Sequence, residues 1–171
     1  LQTSTKGAQS GLIDARRAMQ ALRSYHLDQA NLHDALCQIA HQVFAHSGIQ
    51  VQSSQTGCSY PLPPEVEDTL LRIGQEALSN AFKHAQATVV QLSLSYEPSQ
   101  CVLQVQDNGV GFVSNIDPVD DAYSIQQFGL TGMAERSQRI DAELMIESAL
   151  SKGTTITVIV PQSPSGQSGK S

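Results

Sequence analysis

The spacing of apolar residues predicts four helices. Apolar positions three or four residues apart run through 12–24, 31–47 and about 63–85. The second of these stretches closes on Ser47-Gly48, which suits a helix end, and the third opens on two prolines followed by acidic residues, which suits a helix start. A fourth helix is predicted over roughly 130–140, after a stretch rich in Gly, Asp and Asn (108–128) that predicts a loop.

Alternating apolar and polar residues predict five strands. A short strand starts at Ile49 and gives way to a loop over 54–62, and a hairpin follows over 87–96 and 100–107. Two more strands are predicted near 142–148 and 154–160. One face of the hairpin is apolar, with Val90, Leu92, Leu94, Tyr96, Cys101, Leu103 and Val105. Helices grouped against such strands predict an α+β fold, a two-layer sandwich.

Charge narrows the range of partners. The 171 residues carry 16 acidic and 10 basic groups, for a formal charge of −6. The charge is uneven, since residues 1–30 carry four basic and two acidic groups, whereas residues 31–171 carry six and fourteen. An acidic domain argues against nucleic acid or an anionic membrane as the main partner, because both attract basic patches.

The same distribution predicts the domain organisation. We expect residues 1–29 to be the end of a different domain with a linker, residues 30–161 to be the main domain, and residues 162–171 to be a disordered tail. Three scattered cysteines and no long apolar run predict a cytoplasmic protein without a disulfide framework. The first residue is Leu1 rather than Met, so we expect a piece of a longer protein.

The long helix carries a set of polar residues on one face. Glu76, Asn80, Lys83 and His84 are spaced to project together, while Leu71, Leu78, Phe82 and Ala85 lie opposite and are expected to pack on the sheet. A carboxylate, an amide and two potential cations suit metal-bound phosphates, and the Asn80 oxygen suits Mg²⁺. A solvated face with polar pairs one turn apart is the alternative.

Three further segments point to a ligand. In Asp107-Asn-Gly-Val-Gly-Phe, Asp107 continues the alternation of Leu103 and Val105, so its side chain is expected on the buried face of the strand. A buried carboxylate needs a hydrogen-bond donor such as a purine amine. Gly129 and Gly132 are expected to precede and enter a helix, whose free amides bind anions. Thr154 opens the last strand and could reach the same purine edge. Taken singly, these segments also fit an ordinary turn, a loop and a strand residue.

In this order and spacing, the four segments resemble the ATP-binding catalytic domain of two-component sensor histidine kinases. That domain belongs to the superfamily of gyrase, heat-shock-chaperone, histidine-kinase and mismatch-repair ATPases. The segment over 75–85 (QEALSNAFKHA) is similar to the N box, the one over 107–112 (DNGVGF) to the first glycine box, the one over 129–133 (GLTGM) to the second, and the one over 153–161 (GTTITVIVP) to the terminal strand. The sequence over 129–140 (GLTGMAERSQRI) is similar to the corresponding segment of kinases of the nitrate-sensor type. The resemblance covers about residues 30–161 and implies a Bergerat-type fold, with helices on one face of a mixed, mostly antiparallel sheet.

The resemblance implies a role for each matching residue. Asn80 would ligate Mg²⁺, Glu76 would act as base or orient water, and Lys83 and His84 would touch phosphates. Asp107 would bind the adenine amine with help from Thr154, and residues 112–128 would form a mobile lid. The pocket would be shaped by Gly109, Gly111, Gly129, Leu130 and Gly132.

The implied activity is protein histidine kinase, with the γ-phosphoryl group of ATP passing to a histidine upstream of this chain. A response regulator and a homodimer of the full-length protein would be the partners. His33 stands too close to the first strand to be the acceptor, because a second dimerisation helix should come between them. Residues 1–29 instead resemble the end of the dimerisation helix region with a linker, in which 12–24 is similar to the end of the second dimerisation helix. An anti-sigma-type serine kinase and a catalytically silent nucleotide-binding module remain as alternatives. The stimulus, and whether the whole protein is membrane-anchored, are left open.

Overall fold

Three helices and five strands make up the part of the chain that the computed structural model describes, which is residues 31–112 and 121–162, with the backbone alone over 121–128. The chain divides into two units, Leu1–Ala35 and Leu36–Ser171, and the first is described only for residues 31–35. In chain order the elements are α1 (Leu32–Val43), β1 (Gln50–Thr56), α2 (Pro64–His84), β2 (Val89–Tyr96), β3 (Gln100–Asp107), α3 (Asp121–Arg139), β4 (Glu143–Ala149) and β5 (Gly153–Pro161).

The five strands form one sheet in the order β1-β2-β3-β5-β4. β1 pairs with β2 in parallel, and the other three pairs are antiparallel, which confirms the predicted α+β fold with a mixed, mostly antiparallel sheet. At one end of the sheet, Val90, Asp107, Thr154 and Ser148 are successive partners across β2, β3, β5 and β4. This row of four residues positions the site described below.

The buried side of the sheet is the one that the alternation predicts. The apolar residues of β2 and β3 on that face are almost fully buried, as are every second residue of β5 from Ile156 to Val160. The opposite face of these strands is more exposed and carries mainly Gln, Ser and Thr. The helix α2 lies over the buried face, since its Ala77 and Ala81 line the same cavity as Val105 and Ile156, and polar side chains hydrate the other face.

The helix α2 forms where the sequence predicts it. Pro63 is the N-cap residue and Pro64 opens the helix, where a missing backbone N–H costs no hydrogen bond. Two glutamates lie in the first turn and two basic residues in the last, and both pairs complement the helix dipole. Of the residues expected against the sheet, Leu71, Leu78 and Ala85 are buried. Phe82 is 46% exposed, so its predicted burial is wrong.

Two element ends differ from the prediction. α1 ends at Val43 rather than near Ser47, because the backbone turns away at His46, where φ is +63°. The hydroxyl of Ser47 donates to the carbonyl oxygen of Phe44 at 2.7 Å and holds that turn. β1 extends to Thr56 through the segment predicted as a loop, because parallel pairing with β2 continues over its polar residues.

The largest correction concerns α3. The sequence predicts a loop up to residue 128 and a helix from about 130, but α3 begins at Asp121. Gly129 and Gly132 therefore lie inside the helix, where each costs about 1 kcal/mol relative to Ala. Burial of the apolar side chain of Met133 in the second half of α3 offsets part of that cost.

Several predictions fall on residues outside those described. They are the helix over 12–24, the tail beyond Gln162 and the middle of the segment predicted as a lid, residues 113–120. None of the helices in the described ranges has the length and apolar character that a bilayer crossing requires.

Candidate functional site

A cavity of about 240 Å³ opens between the last turns of α2 and the end of the sheet where β3 finishes. Of the eleven predicted site residues, it brings together Asn80, His84, Asp107, Gly111, Leu130 and Thr154. The rest of its lining is mostly apolar, namely Ala77, Ala81, Ala85, Val105, Val110, Phe112 and Ile156. A mainly apolar cavity with a few converging polar groups is typical of a small-molecule site.

Asp107 lies at the polar end of this cavity. Its side chain is 6% exposed, and its oxygen Oδ1 accepts hydrogen bonds from the backbone N–H groups of Gly109 at 2.8 Å and Thr154 at 3.3 Å. Burial raises the pKa of this carboxyl group, and the two backbone hydrogen bonds partly oppose the rise. Both bonds end on the same oxygen, which leaves Oδ2 as the acceptor for a ligand.

Asn80 faces the same cavity from α2. Its amide nitrogen Nδ2 is buried and has no hydrogen-bond partner among the described residues. A buried polar group without a partner costs free energy, and such groups occur where a ligand or ion completes the contact. Glu76 lies one turn earlier on the same face of α2.

Gly129 of α3 packs against these two side chains. A Cβ atom at Gly129 would lie 2.7 Å from Oε1 of Glu76 and 3.3 Å from Nδ2 of Asn80. The second glycine segment therefore meets the polar face of α2 through its backbone. Glu76, Gly129 and Gly132 are not part of the cavity lining.

The anion site predicted at a helix N-terminus is wrong for this structure. Gly129 and Gly132 lie well inside α3, where backbone N–H groups donate to carbonyl oxygens four residues earlier. The described cations near the cavity are instead on α2. His84 is half-buried and lines the cavity, whereas Lys83 is exposed beside it.

Gly109 and Gly111 are required by protein contacts. A Cβ atom at Gly109 would clash with the carbonyl oxygen of Ala85, because Val110 N–H donates to that same oxygen at 2.7 Å. Gly111 has φ +59°, a conformation that favours glycine, and a Cβ there would clash with the carbonyl oxygen of Ala149. Of the two, only Gly111 lines the cavity.

Replacing Gly109 by Ala should lower the free energy of unfolding by about 2 kcal/mol, because the backbone of Ala85 must move to admit the methyl group. Urea denaturation measures the change. Gly132→Ala is the matched control, since its Cβ would meet only the flexible end of Arg136, at 3.3 Å. That variant should gain up to about 1 kcal/mol from helix propensity. Equal effects of the two substitutions would contradict the close approach at Ala85.

Sequence reasoning missed Ser148, whose half-buried hydroxyl contacts Thr154 and the backbone of Phe112. In the sequence, Ser148 is indicated only by its position six residues before Thr154, on the other side of a predicted turn between two strands. It also missed Asn108, whose Oδ1 accepts from the backbone N–H groups of Thr88 and Val89 at 2.9 and 3.0 Å. These bonds tie the end of β3 to the start of β2.

No group of three or more His, Cys, Asp or Glu side chains in the described residues is arranged to hold a metal ion. An oxygen site that includes Asn80 is of a different kind, because Mg²⁺ takes few protein ligands and keeps waters or phosphate oxygens in its other positions.

Comparison with protein families shows a match over residues 65–164 to the family described as histidine kinase-, DNA gyrase B- and HSP90-like ATPase. The oxygen sensor histidine kinase NreB of Staphylococcus carnosus is 33% identical over 91% of this chain and 44% of its own length. The signal transduction histidine-protein kinase/phosphatase DegS of Brevibacillus brevis is 33% identical over 91% of this chain and 39% of its own. The chain thus spans less than half the length of these relatives.

Solved structures agree on the fold. The histidine kinase domain of the blue-light activated histidine kinase from Erythrobacter litoralis EL346 matches 76% of this chain and 60% of its own, with a TM-score of 0.61 and 25% identity. The mycobacterial sensor histidine kinase MprB matches 75% of this chain with a TM-score of 0.54 at 17% identity, a likeness of fold alone.

Proposed function

The chain belongs to the histidine kinase-, DNA gyrase B- and HSP90-like ATPase family, as the ATP-binding catalytic domain of a sensor histidine kinase of the nitrate-sensor type, and on that basis we propose how its residues act. The cavity holds the adenine of Mg·ATP. In the whole protein, the γ-phosphoryl group passes to a histidine upstream of this chain. The observation that carries the proposal is the buried Asp107 beside Thr154 at the polar end of a mainly apolar cavity.

The adenine ring suits this cavity by shape and by hydrogen bonding. Apolar side chains such as Val110 and Ile156 provide flat contact for the ring. Asp107 accepts a hydrogen bond from the exocyclic amine, because a buried carboxylate can only be stabilised by donors. Thr154 contributes a second oxygen on the neighbouring strand.

Asn80 fits Mg²⁺ as the metal that accompanies ATP. The oxygen Oδ1 of Asn80 would be the ligand to the ion, and the unpartnered buried nitrogen Nδ2 is a donor that suits a phosphate oxygen beside it. One amide oxygen is consistent with Mg²⁺, which takes one or two protein ligands beside phosphate oxygens and water. When bound, the ion would neutralise charge on the phosphates. Glu76 accepts a proton or orients the nucleophile from the same face of α2.

Lys83 provides positive charge for the phosphates, and His84 offers a ring N–H that can donate to them. Residues 31–171 carry a net charge of −8, which repels ATP at a distance. Both residues lie in the last turn of α2, within reach of the end of the cavity where Asn80 lies. The glycines of the two glycine segments, with Leu130, shape the wall of the pocket.

Activity of the whole protein requires parts beyond those described. We expect a homodimer of the full-length protein in the cytoplasm, a phosphoacceptor histidine on a helix before the catalytic domain, and a response regulator that receives the phosphoryl group. These expectations follow from the resemblance to two-component sensor histidine kinases, and this chain covers less than half the length of the relatives NreB and DegS.

Calorimetric titration of the chain with Mg·ATP tests the site. We expect saturable binding with one nucleotide per chain, and weaker binding when a chelator removes Mg²⁺. In the full-length protein, γ-labelled ATP should give an acid-labile, alkali-stable phosphoryl group, which is the chemistry of phosphohistidine. An acid-stable product would favour a serine kinase, and absence of nucleotide binding would contradict the proposed site.

A further inference from the structure

Ser148 forms the centre of a hydrogen-bond network at the polar end of the cavity. Its Oγ contacts three groups, which are the N–H of Phe112 at 2.8 Å, the carbonyl oxygen of Gly153 at 3.1 Å and Oγ1 of Thr154 at 2.9 Å. Ser148 and Thr154 are direct partners across β4 and β5, and Thr154 pairs in turn with Asp107 on β3. Ser148 itself is not part of the cavity lining.

One arrangement of the two hydroxyl protons makes all three contacts hydrogen bonds. The N–H of Phe112 can only donate, and the carbonyl oxygen of Gly153 can only accept. Ser148 must therefore give its single proton to Gly153, and it accepts the proton of Thr154. In the opposite arrangement Ser148 donates to Thr154, and the contact with Gly153 brings two oxygens together without a proton.

The consequence is that Thr154 has no proton left for a ligand. Its oxygen Oγ1 presents only lone pairs to the cavity, beside the carboxylate of Asp107, which also accepts. Two adjacent acceptors suit the two N–H donors of a 6-amine, met directly or through a bound water. They oppose a base with a carbonyl oxygen in place of the amine, because oxygen then faces oxygen.

We propose that Ser148 is a positioning residue for nucleotide specificity, which orients the Thr154 hydroxyl so that the cavity prefers a 6-aminopurine over a 6-oxopurine nucleotide. The inference rests on the proposed function, since it assigns this cavity to the base. Ser148 acts through Thr154 and does not itself touch the ligand. A second effect is that its bond to Phe112 holds that part of the cavity wall.

The test compares the dissociation constants of Mg·ATP and Mg·ITP, which differ in the amine or oxo group at the 6-position and in N1, which accepts in adenine and carries a proton in hypoxanthine. In wild type, ITP should bind much more weakly than ATP. In Ser148→Ala the Thr154 proton is released to donate to the oxo group, so the ITP-to-ATP ratio of dissociation constants should fall about three- to tenfold, the effect of one hydrogen bond. Ser148→Thr keeps a hydroxyl and should keep the ratio close to that of wild type.

A double-mutant cycle separates this role from a merely structural one. In a Thr154→Val background no hydroxyl remains to orient, so Ser148→Ala should leave the ratio unchanged. Thermal unfolding checks that each variant folds. If Ser148→Ala does not fold, Ser148→Cys replaces it, because cysteine is close to serine in size and its sulfur is only a weak acceptor. An unchanged ratio in the folded single variant, or an equal fall in both backgrounds, would overturn the inference.

The possible outcomes also distinguish this inference from the proposed function. If wild type binds ATP and discriminates against ITP but Ser148→Ala does the same, only the role of Ser148 fails. If wild type binds both nucleotides equally, the specificity inference fails while nucleotide binding stands. If wild type binds neither, the proposed function itself fails.

Discussion

Replacing Asp107 by Asn should weaken ATP binding by about 100-fold or more while making the folded protein more stable at neutral pH. The Asn side chain presents an NH₂ group where the carboxylate has Oδ2, so a donor meets the donor amine of the base. Loss of a hydrogen bond to a charged group, together with a buried donor left unpaired, accounts for a change of this size. Calorimetry with Mg·ATP measures the affinity.

The gain in stability follows from burial of the carboxylate. Burial raises the pKa of Asp107, so the folded state holds its proton more tightly than the unfolded state does. As the pH rises from the usual carboxyl range through the raised pKa of Asp107, ionisation of this group lowers the free energy of unfolding. Above the raised pKa the loss of stability is complete. The substituted amide would carry no charge, and its Oδ1 can still accept from Gly109 and Thr154, so the variant should lack this pH dependence.

Urea denaturation of both proteins between pH 4 and pH 8 measures that difference. Glu147→Gln is the matched control, because it removes one carboxylate from an exposed position on β4 that does not line the cavity. We expect the control to keep both ATP affinity and the pH profile of wild type. A variant at Asp107 that binds ATP as wild type does would contradict the site assignment.

Replacing Asn80 by Ala should remove the dependence of nucleotide binding on Mg²⁺. The affinities measured with Mg²⁺ and with a chelator should become nearly equal, because the ion loses its amide ligand on α2. In the full-length protein, phosphoryl transfer should fall by about 100-fold or more, since a metal ion supplies several kcal/mol of charge stabilisation. The free energy of unfolding should not fall, because the substitution removes a buried N–H group that has no partner among the described residues and places Ala, a better helix former, in α2.

Ser79→Ala provides the control on the same helix, since Ser79 is next to Asn80 in sequence but does not line the cavity. It should keep the full response to Mg²⁺. If Asn80→Ala kept that response as well, Asn80 would not be a metal ligand, whatever its effect on turnover. Because the affinity readout needs no phosphoryl transfer, it distinguishes metal binding from other defects in catalysis.

The sequence was a reliable guide where structure depends on local periodicity. The burial of alternate residues in β2 and β3 matches their apolar positions, and α2 begins at the proline pair. It was unreliable where packing overrides local signals. The glycines of α3 are typical of a loop, yet the helix continues through them, and β1 is polar at almost every position but pairs along its whole length with β2.

The candidate site likewise has features that the sequence predicts and features that only packing decides. The types of its residues and their order along the chain can be taken from the sequence, and so can the direction in which Asp107 points, because parity along a strand is a local property. The packing of Gly129 against Glu76 and Asn80 could not be predicted from the sequence, because it joins α2 and α3 across more than forty residues of chain.

The sequence by itself determined the α+β class, the buried face of the sheet and the four segments that indicate a nucleotide site. Only the tertiary structure decided that Asp107, Thr154 and Ser148 lie side by side, that the unpartnered amide of Asn80 is buried, and that Phe82 is exposed. The physical reason is that strand order and register are set by pairing and burial across the whole domain. In this chain the order β3-β5-β4 brings the last strand between two that precede it, and no local pattern encodes that neighbour.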